Sequence, residues 1–479
     1  MTNAIHAIHS PHIRLEVLNG AQIERIHTAS LEVIETTGVR FPSQAALDIW
    51  EAHGANVDRD SMIVRASGQL IEAALRSAPP DYVLAARDPA QDLLLDGNHV
   101  YLGTDGCGVE VIDLHNGERR RSCLQDVVEI ARLVDALPEI AFHWVAVSAQ
   151  DYAPETRSLH ELKAIWTNST KHVQTESVYS TAEAHRAVEM AAAVAGGREA
   201  LRQRPVLSIM QCTLSPLGQD SGSLDAALVA AEAGLPVGFM TMASAGSTAP
   251  ATLAGTLVTG NAEVISALAL IQLAHPGAPV FYAAAQTATD MRTGAYTGGG
   301  PEDFLFGAAS NALADFYNVP LSMGSFATGA KEPDWQAGIE NSLSTFMASV
   351  VMSDMLLGAG LLYGSRIWSY EQLLMDCEIY RIVGKMVAGI VVDEEALALD
   401  AIHNVRPGGH FLAQKHTRRH MRELWNPALI DRSPYDQWEK QPEGPRQAAR
   451  RTAQALLSSH QPQQLEPALI RELDRIISS

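Results

Sequence analysis

Polar side chains stand directly after a series of short apolar runs between residues 99 and 370. Glu176 follows KHVQT, Gln211 follows VLSIM, and the segment AAAQTATDMRTG carries Gln286, Asp290 and Arg292. Carboxylates and amides in such places can hold a cation or move a proton, and an arginine can bind a carboxylate. These five residues are the candidates for catalysis.

The same residues also have purely structural interpretations. Glu176 could form a salt bridge at a rim, and Asp290 could pair with Arg292 to clamp their own loop. The turn GTDGCG, which contains Asp105, has glycines suited to positive φ but lacks the GK[ST] of a phosphate-binding loop. His172 is expected to be a satisfied core or rim histidine rather than a base.

Aromatic side chains are frequent in and just after the same runs. Three of them around one opening would form a cage that attracts a quaternary ammonium ion through cation–π interactions. The aromatic residues available for such a cage are Tyr101, Phe142, Trp144, Tyr282, Phe326, Trp335, Trp368 and Tyr370.

The apolar runs alternate with longer helical patterns, and this strand–helix unit occurs eight times. The alternation predicts an α/β fold, a TIM (β/α)8 barrel, whose site lies at the carboxyl ends of the strands. The predicted strands cover residues 99–103, 140–148, 172–178, 205–212, 236–242, 279–285, 320–326 and 360–366. The predicted helices between them cover 122–136, 155–168, 181–195, 222–233, 259–273, 301–317, 334–357 and 369–385.

The barrel is predicted to span residues 99–385, with an accessory region before it and an extension after it. Residues 1–98 contain helical patterns at 21–36 and 44–53 and small strands. Residues 386–479 form a C-terminal helical extension with amphipathic patterns at 446–458 and 467–478. This extension could form part of an interface in a homo-oligomer.

Composition excludes several classes of partner. The 479-residue chain has a formal net charge of −20, which disfavours nucleic acid and anionic membranes and suits a cationic ligand. Four cysteines without a CxxC pair, no signal-peptide pattern and no uninterrupted apolar run of about 18 residues predict a soluble cytoplasmic protein. No bound metal is predicted, because His416 and His420 have the spacing of zinc ligands but no third ligand.

Four long segments resemble the trimethylamine methyltransferase family: residues 247–302, KEPDWQAGIE (331–340), SYEQLLMDCE (369–378) and RPGGHFLAQKHTRRHMRELWNP (406–427). The resemblance runs from about residue 20 to residue 460 and implies a TIM barrel, in agreement with the count of eight units. It also implies corrinoid-dependent methyl transfer. A methylamine would give a methyl group to the Co(I) of a corrinoid (cobalamin) carried by a separate small partner protein.

The resemblance also bears on the substrate. Archaeal-type members carry pyrrolysine in the segment that aligns with residues 324–328, where this sequence reads GSFAT. Relatives without pyrrolysine include glycine betaine methyltransferases, which implies a quaternary amine, foremost a betaine. Such a substrate carries its own positive charge and releases a neutral amine, so neither an acid catalyst nor a covalent adduct is needed.

We therefore expect a methyltransferase that moves a methyl group from a quaternary amine to a corrinoid protein. The expected cage is Tyr101, Phe326 and Trp335, with Tyr296 and Trp368 in reserve. A donor in the turn around Asp105, Arg292 or Arg366 would meet a betaine carboxylate. The alternatives are activity on trimethylamine, a barrel hydrolase or lyase that uses Glu176 and His172, and a betaine-binding protein without turnover.

Overall fold

The structure, a computed structural model, describes residues 4–106, 108–324 and 328–479. The helices that precede the barrel begin where the sequence supplies a cap. The side-chain oxygens of Asn19, Ser43 and Ser67 each accept a backbone N–H of the first helical turn. The first elements are β1 (Ile8–His9), α1 (Gly20–Thr36), β2 (Val39–Arg40), α2 (Gln44–Ala52), β3 (Asn56–Asp58), β4 (Ile63–Arg65), α3 (Gly68–Leu75), β5 (Tyr82–Leu84) and β6 (Leu93–Leu95).

A closed barrel of eight parallel strands with surrounding helices follows, which confirms the predicted TIM barrel. Its strands pair in the order β7, β10, β11, β12, β13, β15, β17 and β18, and β18 pairs with β7 to close the sheet. In chain order this region contains β7 (His99–Thr104), β8 (Glu110–Ile112), β9 (Arg119–Arg121), α4 (Leu124–Ala136), β10 (Ile140–Trp144), α5 (Pro154–Asn168), β11 (His172–Thr175), α6 (Thr181–Ala195), α7 (Arg198–Gln203), β12 (Leu207–Cys212), α8 (Ser221–Glu232), β13 (Val237–Thr241), β14 (Ser244–Ala245), α9 (Leu253–Ala274), β15 (Val280–Ala284), β16 (Thr287–Ala288), α10 (Pro301–Tyr317), β17 (Leu321–Met323), α11 (Trp335–Val351), β18 (Met355–Ala359), β19 (Leu361–Leu362), β20 (Ile367–Ser369) and α12 (Tyr370–Val387).

The barrel strands are buried on both faces, which is why they read as continuous apolar runs. In β12, Ile209 belongs to the cluster shared with the surrounding helices. Its neighbour Met210 belongs to the interior cluster that includes Phe281 and Met355. Because side chains alternate along a strand, this period of two decides which strand-end residues face the interior.

The eighth barrel strand lies earlier in the chain than the sequence predicted. Strand β18 covers Met355–Ala359, where the prediction placed the end of a helix at 357 and a strand at 360–366. Helix α11 ends at Val351 because Met352 takes a left-handed conformation with φ 63°. The run VVMSDMLLGAGLL is apolar almost throughout, so its hydrophobic pattern did not mark the boundary.

Helix α9 is long and apolar enough to cross a membrane by length and composition alone. In the structure, 78% of its most apolar window is buried inside the protein. It packs against α1 and α3 on one side and against β13 and β15 on the other. Its place between the N-terminal helices and the barrel accounts for its composition.

The C-terminal extension contains two docked helices at its end and a mostly exposed segment before them. Helix α17 packs on α12 and α4, and helix α18 packs on α5 and α6. Arg450 of α17 donates to the buried Glu371 of α12, with Nε 2.8 Å from Oε1. The elements are α13 (Glu394–Leu397), α14 (Leu399–Val405), α15 (Lys415–His420), α16 (Tyr435–Trp438), α17 (Pro445–Ser459) and α18 (Pro467–Ile477).

Candidate active site at the barrel mouth

Three side chains that follow barrel strands converge in the opening at the carboxyl ends of the strands, here called the mouth. Counting by twos along each strand, Asp105, Glu176 and Cys212 fall on the interior face. The Cys212 Sγ lies 3.9 Å from the Glu176 Oε2. Asp105 follows the first barrel strand on the same interior face, within electrostatic range of Glu176.

Glu176 is a deeply buried carboxyl group, only 4% exposed, just beyond the end of β11. Burial, and then the charge of Asp105, raise the pKa of Glu176 to about 8 against an opposing hydrogen bond from Cys212. Such a group is largely protonated near pH 7 and ionises when a cation arrives beside it.

Asp105 ties together the loops that follow the first and eighth barrel strands. Its Oδ2 accepts the Ser365 hydroxyl, and its Oδ1 accepts the Gly106 N–H at 2.9 Å. Burial raises the pKa of Asp105 to about 6, although both hydrogen bonds favour the carboxylate. The mouth therefore holds two carboxyl groups whose charged forms are disfavoured by burial.

Tyr296 stands beside this acidic pair. Its ring packs on Gly364, where a Cβ would lie 2.6 Å from the ring and where φ is +59°, so this position requires glycine. Burial, followed by the negative charges of Asp303 and Asp105, raises the pKa of the Tyr296 phenol. The residue is nevertheless 42% exposed, so solvent or a ligand can reach its ring.

Trp144 forms a floor beneath the turn that carries Asp105. It is a buried interior residue at the end of β10, and a Cβ at Gly106 would stand 2.5 Å from its ring. Its indole N–H has no hydrogen-bond partner among the described residues. A flat aromatic surface whose N–H has no partner among the described residues therefore lies under the turn that carries Asp105.

Lys331 is a cationic group on the loop after β17. Its Nζ lies 4.9 Å from the centre of the Tyr363 ring and donates to the Gly329 carbonyl at 2.6 Å. The loop containing Tyr363 pairs with the Lys331 loop through the Tyr363 N–H and the Ala330 carbonyl at 2.8 Å. Since the next residue, Gly364, supports Tyr296, this cation stands near the rim of the mouth.

Two of the predicted catalytic residues face the helix layer instead of the mouth. Gln211 donates to the Val178 carbonyl at 3.1 Å. Gln286 lies 3.5 Å from the Ser310 hydroxyl of α10, and its amide nitrogen borders Gly260 of α9. The residues of β12 and β15 alternate between the two faces of the sheet, and these two fall on the outer face.

Asp290 and Arg292 form the loop clamp that was the alternative interpretation. The Arg292 N–H donates to the Asp290 Oδ1 at 2.8 Å, and the two side chains pair at 3.5 Å. This backbone hydrogen bond, followed by the guanidinium, lowers the pKa of Asp290. The Arg292 side chain is 90% exposed, so the pair shapes the loop that ends at Tyr296 rather than contacting the acidic pair.

The structure places the predicted cage residues Tyr101 and Trp335 away from the mouth. Tyr101 lies near the amino-terminal end of the barrel, in the interior cluster that the β5–β6 hairpin closes with Leu93 and Leu95. Trp335 begins α11 on the outer surface and is 79% exposed. Phe326 lies outside the described residues.

Trp368 and Arg366 also have structural surroundings. Trp368 is fully buried against Gly360 and meets Tyr370 edge to face, 6.0 Å between ring centres. Arg366 directly precedes β20 in the short sheet of β19, β20, β8 and β9, and its guanidinium pairs with Glu110 at 3.5 Å. Neither residue reaches the acidic pair.

His172 stands at the other end of the barrel from Glu176. Its Nδ1 lies 2.8 Å from the Ala85 carbonyl and its Nε2 lies 2.9 Å from the Ser208 hydroxyl. Burial lowers the pKa of His172 to about 4. Four residues of strand, roughly 13 Å, separate it from Glu176, so the two cannot act together as acid and base.

The sequence reasoning missed Cys212, Tyr179 and Glu263. The period of two in β12 could have identified Cys212, since Met210 is an interior residue. Tyr179 is about half exposed, and the partial burial of its phenol, followed by the charge of Glu176, raises the pKa of Tyr179. Glu263, the lone acid of the apolar helix α9, accepts hydrogen bonds from the loop after β12. A single charge in an otherwise apolar helix was the available signal.

Among the described residues, no group of three or more His, Cys, Asp or Glu side chains is arranged to hold a metal ion. The rings of His416 and His420 do stack, with 4.3 Å between their centres. Their nitrogens lie near a carbonyl and carboxylates of Glu395 and Glu423.

Comparison with known sequences places this geometry in context. The family model described as trimethylamine methyltransferase (MTTB) matches residues 1–479. A trimethylamine methyltransferase of Desulfitobacterium hafniense strain DCB-2 is 38% identical over 417 residues, 87% of this chain and 84% of that protein. The glycine betaine methyltransferase of Desulfitobacterium hafniense strain Y51 is 34% identical over 468 residues, 97% of each chain.

A solved structure shares the fold. The crystal structure of the Methanosarcina barkeri monomethylamine methyltransferase superposes with a TM-score of 0.53, over 94% of this chain and 95% of that one. The two sequences are 12% identical in this alignment, so the likeness concerns the fold.

Proposed function

The chain belongs to the trimethylamine methyltransferase family and is a methyltransferase, and from this premise we propose a substrate and a methyl acceptor. The proposed substrate is a quaternary amine, with glycine betaine as the leading candidate. The proposed acceptor is the Co(I) corrinoid (cobalamin) of a separate partner protein.

The buried acidic pair in the mouth, Asp105 and Glu176, carries this proposal. Burial raises both pKa values, so a positive charge that enters the site would favour the charged forms of both carboxyl groups. A quaternary ammonium ion carries a permanent positive charge and has no N–H to donate, and it would supply that charge. The Tyr296 ring and the floor at Trp144 add aromatic surfaces that attract quaternary ammonium groups.

The residues of the mouth bind and orient the substrate rather than activate it. The leaving group is a neutral amine, so no proton has to be delivered. Asp105 and Glu176 hold the ammonium end, and Tyr296 and Trp144 exclude water around its methyl groups. One methyl group is thereby directed out of the mouth towards the acceptor.

Lys331 is our candidate for the carboxylate end of a betaine. Among the described cations near the mouth it has no carboxylate partner within 4 Å, whereas Arg366 pairs with Glu110 and Arg292 with Asp290. A lysine ammonium binds a carboxylate as a point charge. Choline, which lacks the carboxylate, would not gain from this contact.

Exposed apolar residues at the rim of the mouth favour docking of the acceptor protein. Leu214, Met242 and Met291 follow the fourth, fifth and sixth barrel strands and are exposed. Exposed apolar side chains around an opening are typical of a surface on which another protein docks. The corrinoid would supply the methyl acceptor, and we place both proteins in the cytoplasm.

The decisive test is formation of methylcobalamin from free cob(I)alamin under anoxic conditions, followed by absorbance. We expect methylation with glycine betaine or another quaternary amine and none with trimethylamine. Methylation with trimethylamine alone would overturn the proposed substrate class. If no amine supports methylation, even with a cognate corrinoid protein present, the proposed reaction is wrong.

Binding of the quaternary amine is expected to tighten as the pH rises from about 6 to 8. Glu176, with its pKa of about 8, must release its proton when the cation binds, so affinity should rise up to tenfold per pH unit and level off above pH 8. Calorimetry in buffers with different ionisation enthalpies would show the released proton. Glu176→Gln should flatten the profile, and a wild-type affinity that is independent of pH would contradict the assignment.

A further inference from the structure

Large hydrophobic side chains are exposed in one region of the surface far more than elsewhere. The region consists of residues 388–443, here called the arm, and of a groove between α11 and α12. In the arm only Ala401 and Leu429 are buried, whereas Ile390 is 86% exposed and Leu412 is 85% exposed. The arm contains only short helices, so it has no core of its own. Exposed apolar surface of this extent marks an interface.

The groove lies beside the start of the arm. Leu343 and Phe346 of α11 face Ile379 and Ile382 of α12 across it, and Met386 stands where α12 ends. One end of the groove is bordered by Leu429 and Ile430 of the same chain. The arm therefore has side chains of the right chemistry for this groove, but most of the groove is uncovered.

The charges of the arm are complementary to those of a second copy of the same arm. Residues 393–400 (DEEALALD) carry four acids and no base, whereas residues 401–422 carry five bases and no acid. Within the described chain, Glu395 is the only acid of the first stretch that pairs with the second stretch, and it pairs with Arg419 and His420. His420 also pairs with Glu423, which lies outside both stretches. Two arms that run antiparallel across a twofold axis would place each acidic stretch on the other's basic stretch.

We propose that a second copy of this chain covers the arm and the groove. The two copies form an isologous dimer, in which the apolar side chains of each arm pack on the groove of the other copy and the acidic and basic stretches pair in register. The arm has nine acids and seven bases, so it carries only a small part of the net charge of −20 of the whole protein. Repulsion between two arms is therefore weak. This proposal does not depend on the substrate.

The test is the oligomeric state of the full chain by sedimentation and light scattering. We expect an even number of chains for the wild type and dissociation for the groove variant Leu343→Asp. Leu305→Asp is the matched control, because Leu305 is an exposed leucine on the outer face of α10 and should leave the mass unchanged. A wild-type monomer or an odd-numbered oligomer would overturn the proposal.

Charge exchange distinguishes specific pairing from general surface damage. The double variant Arg418→Glu with Arg422→Glu should dissociate the dimer, and adding Glu394→Lys with Asp400→Lys should restore it. Circular dichroism verifies folding of each variant. Restoration supports the antiparallel arms, and dissociation without restoration, or no dissociation at all, contradicts them.

Discussion

Glu176→Gln is expected to lower kcat/KM for the quaternary amine by about two to three orders of magnitude, or about 3 to 4 kcal/mol. The substitution keeps the shape of the side chain and the contact with Cys212 but removes a carboxylate that ionises in a buried site. Because the ammonium keeps its charge until the methyl group leaves, the lost interaction acts mainly on the bound ground state. We therefore expect KM to rise far more than kcat falls.

Glu161→Gln is the matched control for this variant. Glu161 is also fully buried, and burial raises the pKa of Glu161 to about 7, but it lies on α5 and accepts the Ala149 N–H at 2.7 Å. Methylation of free cob(I)alamin by the Glu161→Gln protein should stay within a factor of about three of wild type. If both variants lose activity equally, the effect of Glu176 is structural rather than electrostatic.

The fold was predictable because it rests on a pattern that is repeated along the chain. Eight apolar runs, each followed by a helical pattern, gave the barrel, and caps such as Ser43 marked helix starts. The eighth strand was misplaced because MLLGA continues an apolar helix without a strong break. There the left-handed turn at Met352 decides the boundary, and methionine gives no signal of such a turn.

A site residue was predictable where the sequence indicated both the end of its strand and the face of the sheet on which its side chain lies. Glu176 and Asp105 were identified as strand-end carboxyl groups, and the structure brings them together with Tyr296. Gln211 was chosen for its polarity, yet its neighbour Cys212 is the residue that faces inwards. Trp335 follows a barrel strand by twelve residues, a distance at which the sequence no longer determines whether a side chain reaches the mouth.

Glu263→Ala is expected to lower the free energy of unfolding by about 3 to 5 kcal/mol. The measurement is urea unfolding, in which the midpoint should move to a lower urea concentration. The Glu263 carboxylate is fully buried and accepts three hydroxyl groups and one backbone N–H, from Thr213 at 2.7 Å, Ser215 at 2.8 Å, Thr241 at 3.0 Å and Leu217 at 2.9 Å. Removing it leaves these donors without an acceptor in a site that water does not reach. Burial raises the pKa of Glu263 while these hydrogen bonds oppose the shift.

Loss of the Glu263 hydrogen bonds should also disturb the residues of the mouth, because Glu263 holds the loop that begins directly after Cys212. Glu263→Leu fills the space without accepting hydrogen bonds. Comparing it with Glu263→Ala therefore separates the cost of the lost hydrogen bonds from the cost of an empty cavity. Glu263→Gln retains one acceptor oxygen and should lie between wild type and leucine. If Glu263→Leu were within about 1 kcal/mol of wild type, the donors would have found other acceptors. The loop would then owe its position to packing, and methylation should survive in all three variants.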